Sequence, residues 1–375
     1  MAISSKKWFF RVTGGILLTG SFLVLVNCLI DPYGLFRTDF SKQFQEPNQN
    51  FAKTKFILNH KDRYDSFLFG SSRVIYIDNT KIRNGTYYNY WYSEGVPKEH
   101  LDNIRLLVEN NVGIRNILIG LDDFSYLVTP EAHLTNLLRQ PHPLVTGKRP
   151  EVFYTEYFVR LTNLGSSVRK YFLHNVLKKG RMIENGIVFD VDQTGRMLCR
   201  VCDDLIEKDR ERHVQDEKFS RPTHYEGNNL ENTLDAIRGI VELAKEQNIN
   251  LVFFINPIHK TTYLDTNLVQ FFTFKRELAA ITDFWDFSGL NSITTNNYYY
   301  HETSHYRDRV GDMMLERMFG YPRASAPPDF GILVTEKNID VHLALLASQI
   351  KDGRQKRLVR VARQRGLPAS GPREI

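Results

Sequence analysis

The sequence predicts an α/β protein, three layers αβα around a parallel, flavodoxin-like sheet, preceded by one transmembrane helix. Three observations carry that expectation. Short apolar runs alternate with stretches of helical periodicity, as in strand–helix–strand units of a parallel sheet. Each short run stops at a glycine or a polar cluster before reaching helical length. One long uncharged run stands at the N-terminus behind Lys6, Lys7 and Arg11.

That run extends from Val12 to Ile30 and is closed by Asp31. As a helix it rises about 28 Å, close to the roughly 30 Å hydrocarbon core of a bilayer. Basic residues before it put the N-terminus in the cytoplasm and everything after Asp31 outside. A cleavable signal peptide is the alternative, but the run exceeds a usual apolar core and no Ala-x-Ala-like site follows. Leu25-Val26-Asn27-Cys28 has only a faint likeness to a lipoprotein site. Residues 1–31 are therefore read as a cytoplasmic stub and anchor, and residues 32–320 as the α/β domain.

Asp31 to Phe36 reads as a turn off the membrane, and the stretch to Arg63 shows no clear period. Phe67 to Phe69 is the first strand, ending at Gly70-Ser71-Ser72-Arg73. Thr86 to Trp91 is a second strand, stopping at Ser93-Glu94-Gly95 before Pro97 opens a helix carrying Leu101, Ile104, Leu107 and Val108. Ile117 to Ile119 is the third, closing at Gly120-Leu121-Asp122-Asp123.

From about 125 to 225 the alternation breaks, and the segment reads as an insertion forming a lid or substrate wall. Tyr154 to Phe158 and Tyr171 to Leu177 look helical, and Ile187 to Leu198 looks like a hairpin turning at Gln193-Thr194-Gly195. Asp190 and Asp192 resemble the start of a calcium loop, but Val201 stands where the bidentate glutamate belongs, which leaves a β-turn. Asp203 to Lys218 reads as a solvated charge run. The α/β rhythm resumes with a helix over Leu230 to Ala244, a strand over Asn250 to Ile255, a helix over Leu268 to Leu278 and a strand over Phe284 to Phe287. A helix with Val310, Met314 and Met318 then ends at Gly320. Residues 321–375 read as a tail with one helix, Val341 to Ile350, and disorder after Lys356.

Composition bounds the function. At 375 residues, 42% hydrophobic and 25% charged, the chain buries one sizeable core plus an insertion. The net charge of +6 could suit a polyanion, but much of the excess crowds into Lys351, Arg354, Lys356, Arg357, Arg360, Arg363 and Arg365. No nucleic-acid motif accompanies it, so no nucleic-acid partner is expected. Cys199 and Cys202 admit a redox pair, a disulfide or half a zinc site; further zinc ligands at usual spacing are missing, and two unremarkable cysteines is the preferred reading. No metal or organic cofactor is implied.

Ser72, Gly95, Asp122 and Asn256 each follow a different predicted strand, and Glu302 and His305 share the loop after a fifth. A parallel sheet gathers such residues at one carboxyl edge, where open α/β sheets bind ligands. In Glu302-x-x-His305 the carboxylate can reach Nδ1 of the ring and leave Nε2 for a serine. Such a base matters because a serine hydroxyl is a poor nucleophile until its proton is taken. Read singly, Gly-Ser-Ser is an ordinary turn, and Glu302 and His305 are surface residues starting a helix with Ser304 as its cap. His259 and His301 are alternative bases, each more readily explained as structural or exposed.

Gly70-Ser71-Ser72-Arg73, Gly95, Gly120-Leu121-Asp122-Asp123 and Glu302-x-x-His305 together resemble the ordered blocks of the SGNH (GDSL-like) hydrolases, over roughly Asp65 to Gly320. The anchor followed by Asp31-Pro32-Tyr33-Gly34 is similar to the bacterial membrane-bound branch, some of whose members O-acylate cell-envelope polymers. The resemblance implies Ser72 as nucleophile, His305 as base and Glu302, in place of the usual aspartate, as its orienting acid. It implies a glycan or acyl-ester substrate, an inner-membrane, periplasm-facing location and contact with other envelope-assembly proteins. Asp122 stands where the family has the asparagine that donates to the oxyanion. Backbone amides of Ser72 and Gly95, helped by Arg73 or Asn256, are the expected substitutes; the alternative is a catalytically impaired protein that binds or presents a glycan.

Overall fold

The computed structural model describes residues 5–159, 164–321 and 326–364. Its strands are β1 (Ser66–Gly70), β2 (Tyr87–Trp91), β3 (Asn116–Leu121), β4 (Ile187–Phe189), β5 (Met197–Cys199), β6 (Asn250–Ile255), β7 (Phe284–Asp286) and β8 (Ile332–Val334). Six of them form one sheet in the order β2-β1-β3-β6-β7-β8, and β4 and β5 form a separate hairpin. The first five strands of the large sheet run parallel. This is the expected flavodoxin-like order, with its switch point between β1 and β3.

Strand periodicity splits the core into two layers. Phe67, Phe69, Ile117, Ile119, Phe253 and Ile255 face one way, with Leu101, Ile104 and Leu107 from the helix Pro97–Glu109 and Leu234, Ile237 and Ile240 from the helix Leu230–Glu246. The alternate residues Leu68, Leu118 and Phe254 face the other way, toward Val74, Ile75 and the helix Asp308–Phe319 with Val310 and Met314. Side chains one residue apart on a strand point to opposite faces, so three-residue apolar runs serve both layers.

Two sequence expectations need correction here. The stretch after Gly320 supplies β8, which pairs antiparallel with β7, and a helix from Ile339 to Gln364. Leu343, Leu346 and Ile350 of that helix join the core. The helix therefore runs past Ile350 and past Lys356; residues 365–375 lie outside the described part. Arginine, lysine, glutamine and alanine are good helix formers, so a basic run need not fray.

The second correction concerns the cysteines. Cys199 and Cys202 form a disulfide with Cα atoms 5.6 Å apart. It joins the end of β5 to the first turn of the helix Cys202–Lys208.

The N-terminal helix, Ser5–Ile30, is long and apolar enough to cross a membrane. The insertion is tied to the domain at several points. Leu35 and Phe51 pack with Leu137, Phe153 and Tyr157, and the Asn48 amide donates to Gln140 O at 2.9 Å and Tyr157 Oη at 2.8 Å. The β4–β5 turn docks on the outer edge of the large sheet, where Asn89 N–H donates to Thr194 O at 2.9 Å. Gln193 N–H donates to Asp190 O at 3.4 Å, the backbone bond of a β-turn, and Asp190 Oδ2 accepts from Thr194 N at 3.1 Å.

Candidate active site

The chain leaves β1 at Gly70 and enters a short 3-10 turn, Ser72–Tyr76. Ser71 caps that turn by accepting the Arg73 N–H at 3.2 Å. The turn is tight because Val74 folds back under the sheet edge. A Cβ on Gly120 would lie 2.5 Å from Val74 Cγ1, so the end of β3 must be glycine for Ser72 to rise where it does. Gly95 has a similar reason: its Cβ would meet Gly70 O at 3.1 Å and the rings of Tyr92 and His100 closer still.

Ser72 and His305 are 233 residues apart in sequence and meet at the sheet's carboxyl edge, with Ser72 Oγ 2.8 Å from His305 Nε2. His305 Nδ1 is hydrogen-bonded to Glu302 Oε1. Burial pushes the Glu302 carboxyl up, but the hydrogen bond and charge of His305 outweigh it, and the net effect lies below the ordinary value. Glu302 Oε2 also accepts the Ser304 N–H at 2.8 Å, so the acid is held at both oxygens. The ring of His305 stands edge-on to Tyr76, centroids 5.9 Å apart.

The remaining expected residues divide. Arg73, Asp122 and Asn256 are buried and hydrogen-bonded to one another as a brace. Arg73 Nη1 donates to Asp122 Oδ1 at 2.9 Å and to Asp123 Oδ1 at 2.5 Å, and Nε donates to Ser304 O at 3.0 Å. Asn256 Nδ2 donates to Asp122 Oδ1 at 3.0 Å, and its Oδ1 accepts from Tyr306 Oη at 3.0 Å. One guanidinium thus links the serine turn, the end of β3 and the histidine loop. Although burial works against its charge, the two aspartates hold Arg73 protonated, above the ordinary arginine value. Burial pushes Asp122 up, and the guanidinium it shares with Asp123 offsets this only in part.

Both hydrogens of the Asn256 amide go to Leu121 O and Asp122 Oδ1, which leaves none for the expected oxyanion; Arg73 Nε and Nη1 are engaged by Ser304 O, Asp122 and Asp123, but its Nη2 is buried with no partner among the described residues. The Gly95 N–H donates to Tyr92 O at 3.1 Å. The Ser72 N–H has no acceptor among the described residues. His259 is buried, with Nε2 3.0 Å from Asn297 Oδ1 and Nδ1 accepting from Thr261 N, and burial lowers His301 to about 4. Neither ring is hydrogen-bonded to Ser72.

Sequence reasoning missed the clamp on the histidine loop. Arg307, two residues past His305, is fully buried; its Nε donates to Asp203 Oδ1 and its Nη2 to Glu207 Oε1, each at 2.8 Å. Asp203 and Glu207 belong to the stretch read as solvated. Their four-residue spacing, which puts both on one helix face, was the available signal. The disulfide sits at the start of that helix and holds its first turn.

Glu46 was also missed. Its carboxylate accepts from Ser93 Oγ at 2.9 Å, and burial raises its pKa. It lines a cavity of about 860 Å³ with Tyr33, Asn136, Ser166, Ser167 and Lys170. Ser72 is not part of that lining; Ser93, two residues before Gly95, connects the two places. No group of three or more metal-binding side chains occurs among the described residues. No family model matches the chain, and no curated protein matches it.

Proposed function

We propose that this is a membrane-anchored SGNH-like serine esterase or O-acyltransferase acting on ester groups of a cell-envelope glycan. The observation that carries the reading is one histidine bonded on both sides, Nε2 to Ser72 Oγ at 2.8 Å and Nδ1 to Glu302. That is the geometry a serine needs for activation.

Ser72 Oγ attacks the ester carbonyl carbon while His305 Nε2 takes the hydroxyl proton, and Glu302 balances the charge on the ring. The carbonyl electrons move to oxygen, where the Ser72 N–H is the available donor. When the tetrahedral species collapses, the C–O bond to the leaving alcohol breaks and His305 returns the proton to that alcohol. Water, or a sugar hydroxyl, then attacks the acyl-serine by the same sequence and releases Ser72. Hydrolysis and transfer differ only in that second acceptor.

Lys6, Lys7 and Arg11 before the apolar helix favour a cytoplasmic N-terminus and a periplasmic domain in a bacterial inner membrane. The Cys199–Cys202 disulfide suits an oxidising compartment.

Two features favour a binding-only alternative: Asp122 stands where the resembled family has an oxyanion donor, and the Gly95 N–H donates to Tyr92 O. Losing such a donor costs about 2.7–4 kcal/mol in a serine protease. Fluorophosphonate labelling decides between the two readings. Expected is a label on Ser72 that disappears in Ser72→Ala and falls at least about a thousandfold in rate in His305→Ala. A folded protein that takes no label returns the site to glycan binding.

A further inference from the structure

The helix Leu164–Tyr171 stands beside the apolar N-terminal helix, well short of its domain end. Asn27 Nδ2 donates to Phe158 O at 2.8 Å, which fixes the end of the preceding helix, Pro150–Phe158, about one turn inside Ile30. Beyond it, Leu164 and Val168 line an apolar groove of about 850 Å³ with Val12, Ile16, Leu23 and Val26. Val12 to Val26 is about 21 Å of helix, so the groove extends along most of the apolar span.

Apolar side chains in the same stretch lack protein cover. Val159 is 54% exposed, Val168 41% and Phe172 51%. The other side of the helix is polar: Ser166, Ser167 and Lys170 line the cavity that holds Glu46. Arg169 and Lys170 form its last turn. Apolar residues toward a membrane helix, polar residues toward a cavity and basic residues at one end make an interfacial helix.

We propose that Val159 and the helix Leu164–Tyr171 are immersed in lipid of the leaflet facing the domain, with acyl chains filling the groove against the N-terminal helix. Continuity with that helix identifies the occupant. Where Val12–Val26 is surrounded by hydrocarbon, the open side of the same groove is filled by hydrocarbon too. Arg169 and Lys170 then reach the headgroup phosphates. The cavity shared by Tyr33, Glu46 and Lys170 consequently opens at headgroup level. The proposal rests on the reading of Ser5–Ile30 as a membrane span.

The full chain, carrying Cys28→Ala, takes single cysteines at Val159 or Val168, with Leu17 and Val269 as references. Leu17 lies on the N-terminal helix and Val269 on a domain helix; they are 65% and 78% exposed. Each is labelled with an environment-sensitive fluorophore and reconstituted alone into phosphatidylcholine–phosphatidylglycerol vesicles containing spin-labelled acyl chains. Expected is quenching at Val159 and Val168 comparable to Leu17 and at least about threefold stronger than at Val269. Quenched Leu17 with Val159 and Val168 behaving like Val269 overturns the proposal and leaves the anchor standing. Unquenched Leu17 overturns both. Should the variants fail to reconstitute, photoactivatable lipid cross-linking of the unaltered protein gives the same answer: adducts within 164–172 support the contact, and adducts confined to the N-terminal helix overturn it.

Discussion

Glu302–His305 and Asp286–His342 pair a carboxylate with an imidazole on the same α/β scaffold. Their surroundings differ. Asp286 ends β7 and is sealed in with Lys275, Nζ to Oδ2 at 2.7 Å, and with His342, Nε2 to Oδ2 at 2.8 Å. Lys275 and Asp286 have no exposed surface, whereas His305 and Glu302 are 29% and 37% exposed. The second nitrogen of His342 is buried without a partner among the described residues, while the second nitrogen of His305 meets Ser72. An acid–histidine pair is thus suited to moving a proton only where its far nitrogen meets a hydroxyl within reach of solvent. Although burial pushes the Asp286 carboxyl up, Lys275 and His342 hold it well below the usual range.

Breaking the closed pair should produce the largest effect on folding. Lys275→Met strands a buried carboxylate, and thermal or denaturant unfolding should register a loss of about 3–5 kcal/mol. Fluorophosphonate labelling of the surviving folded protein should be little changed. A proportional loss of labelling would mean that the two pairs are coupled.

The open pair should respond in the opposite way. Glu302→Gln should slow labelling by about 10² to 10⁴ by unsettling the histidine's tautomer and its charged form, with stability changed by at most about 1 kcal/mol because the carboxylate is part-exposed. Unaltered labelling would remove Glu302 from the proposed triad.

A third pair sharpens the comparison through pH. His133 Nδ1 is 2.9 Å from Glu99 Oε1, and Nε2 is 3.7 Å from Glu94 Oε2. Burial opposes the charge on this ring, but Glu94 and Glu99 overcome it and raise its pKa to about 9. The raised value means the charged ring stabilises the fold. That contribution is fully present below the ordinary histidine value of about 6.5 and is lost as pH rises through 9. Melting curves at pH 7 and pH 10 should therefore lie further apart for the native protein than for His133→Gln.

Asp122→Asn should have the smallest effect, a change in labelling rate below about tenfold. Asp122 Oδ1 is already occupied by Arg73 and Asn256, and an amide there inherits the same partners. A gain of a hundredfold or more would show that residue 122 does reach the oxyanion.

The sequence alone determined the strands of the parallel sheet, their approximate ends and the apolar N-terminal helix. It also put Ser72 at a strand end and His305 in the long loop after the last parallel strand, because strand burial, glycine at tight turns and a long uncharged run are local properties of a chain. It missed β8, three residues whose place depends on pairing with β7. It did not foresee the partners of Arg73, Asn256, Asp203 and Cys199, because polar side chains have no periodicity that names their partners. The same guanidinium, amide or carboxylate serves an oxyanion, a brace or bulk water depending on what faces it. Arg73 meets Asp122 across 49 residues and the Ser304 carbonyl across 231. Only tertiary structure decides which of those chemically equivalent partners a buried charge meets, since each buried donor must find whatever acceptor the fold brings within reach.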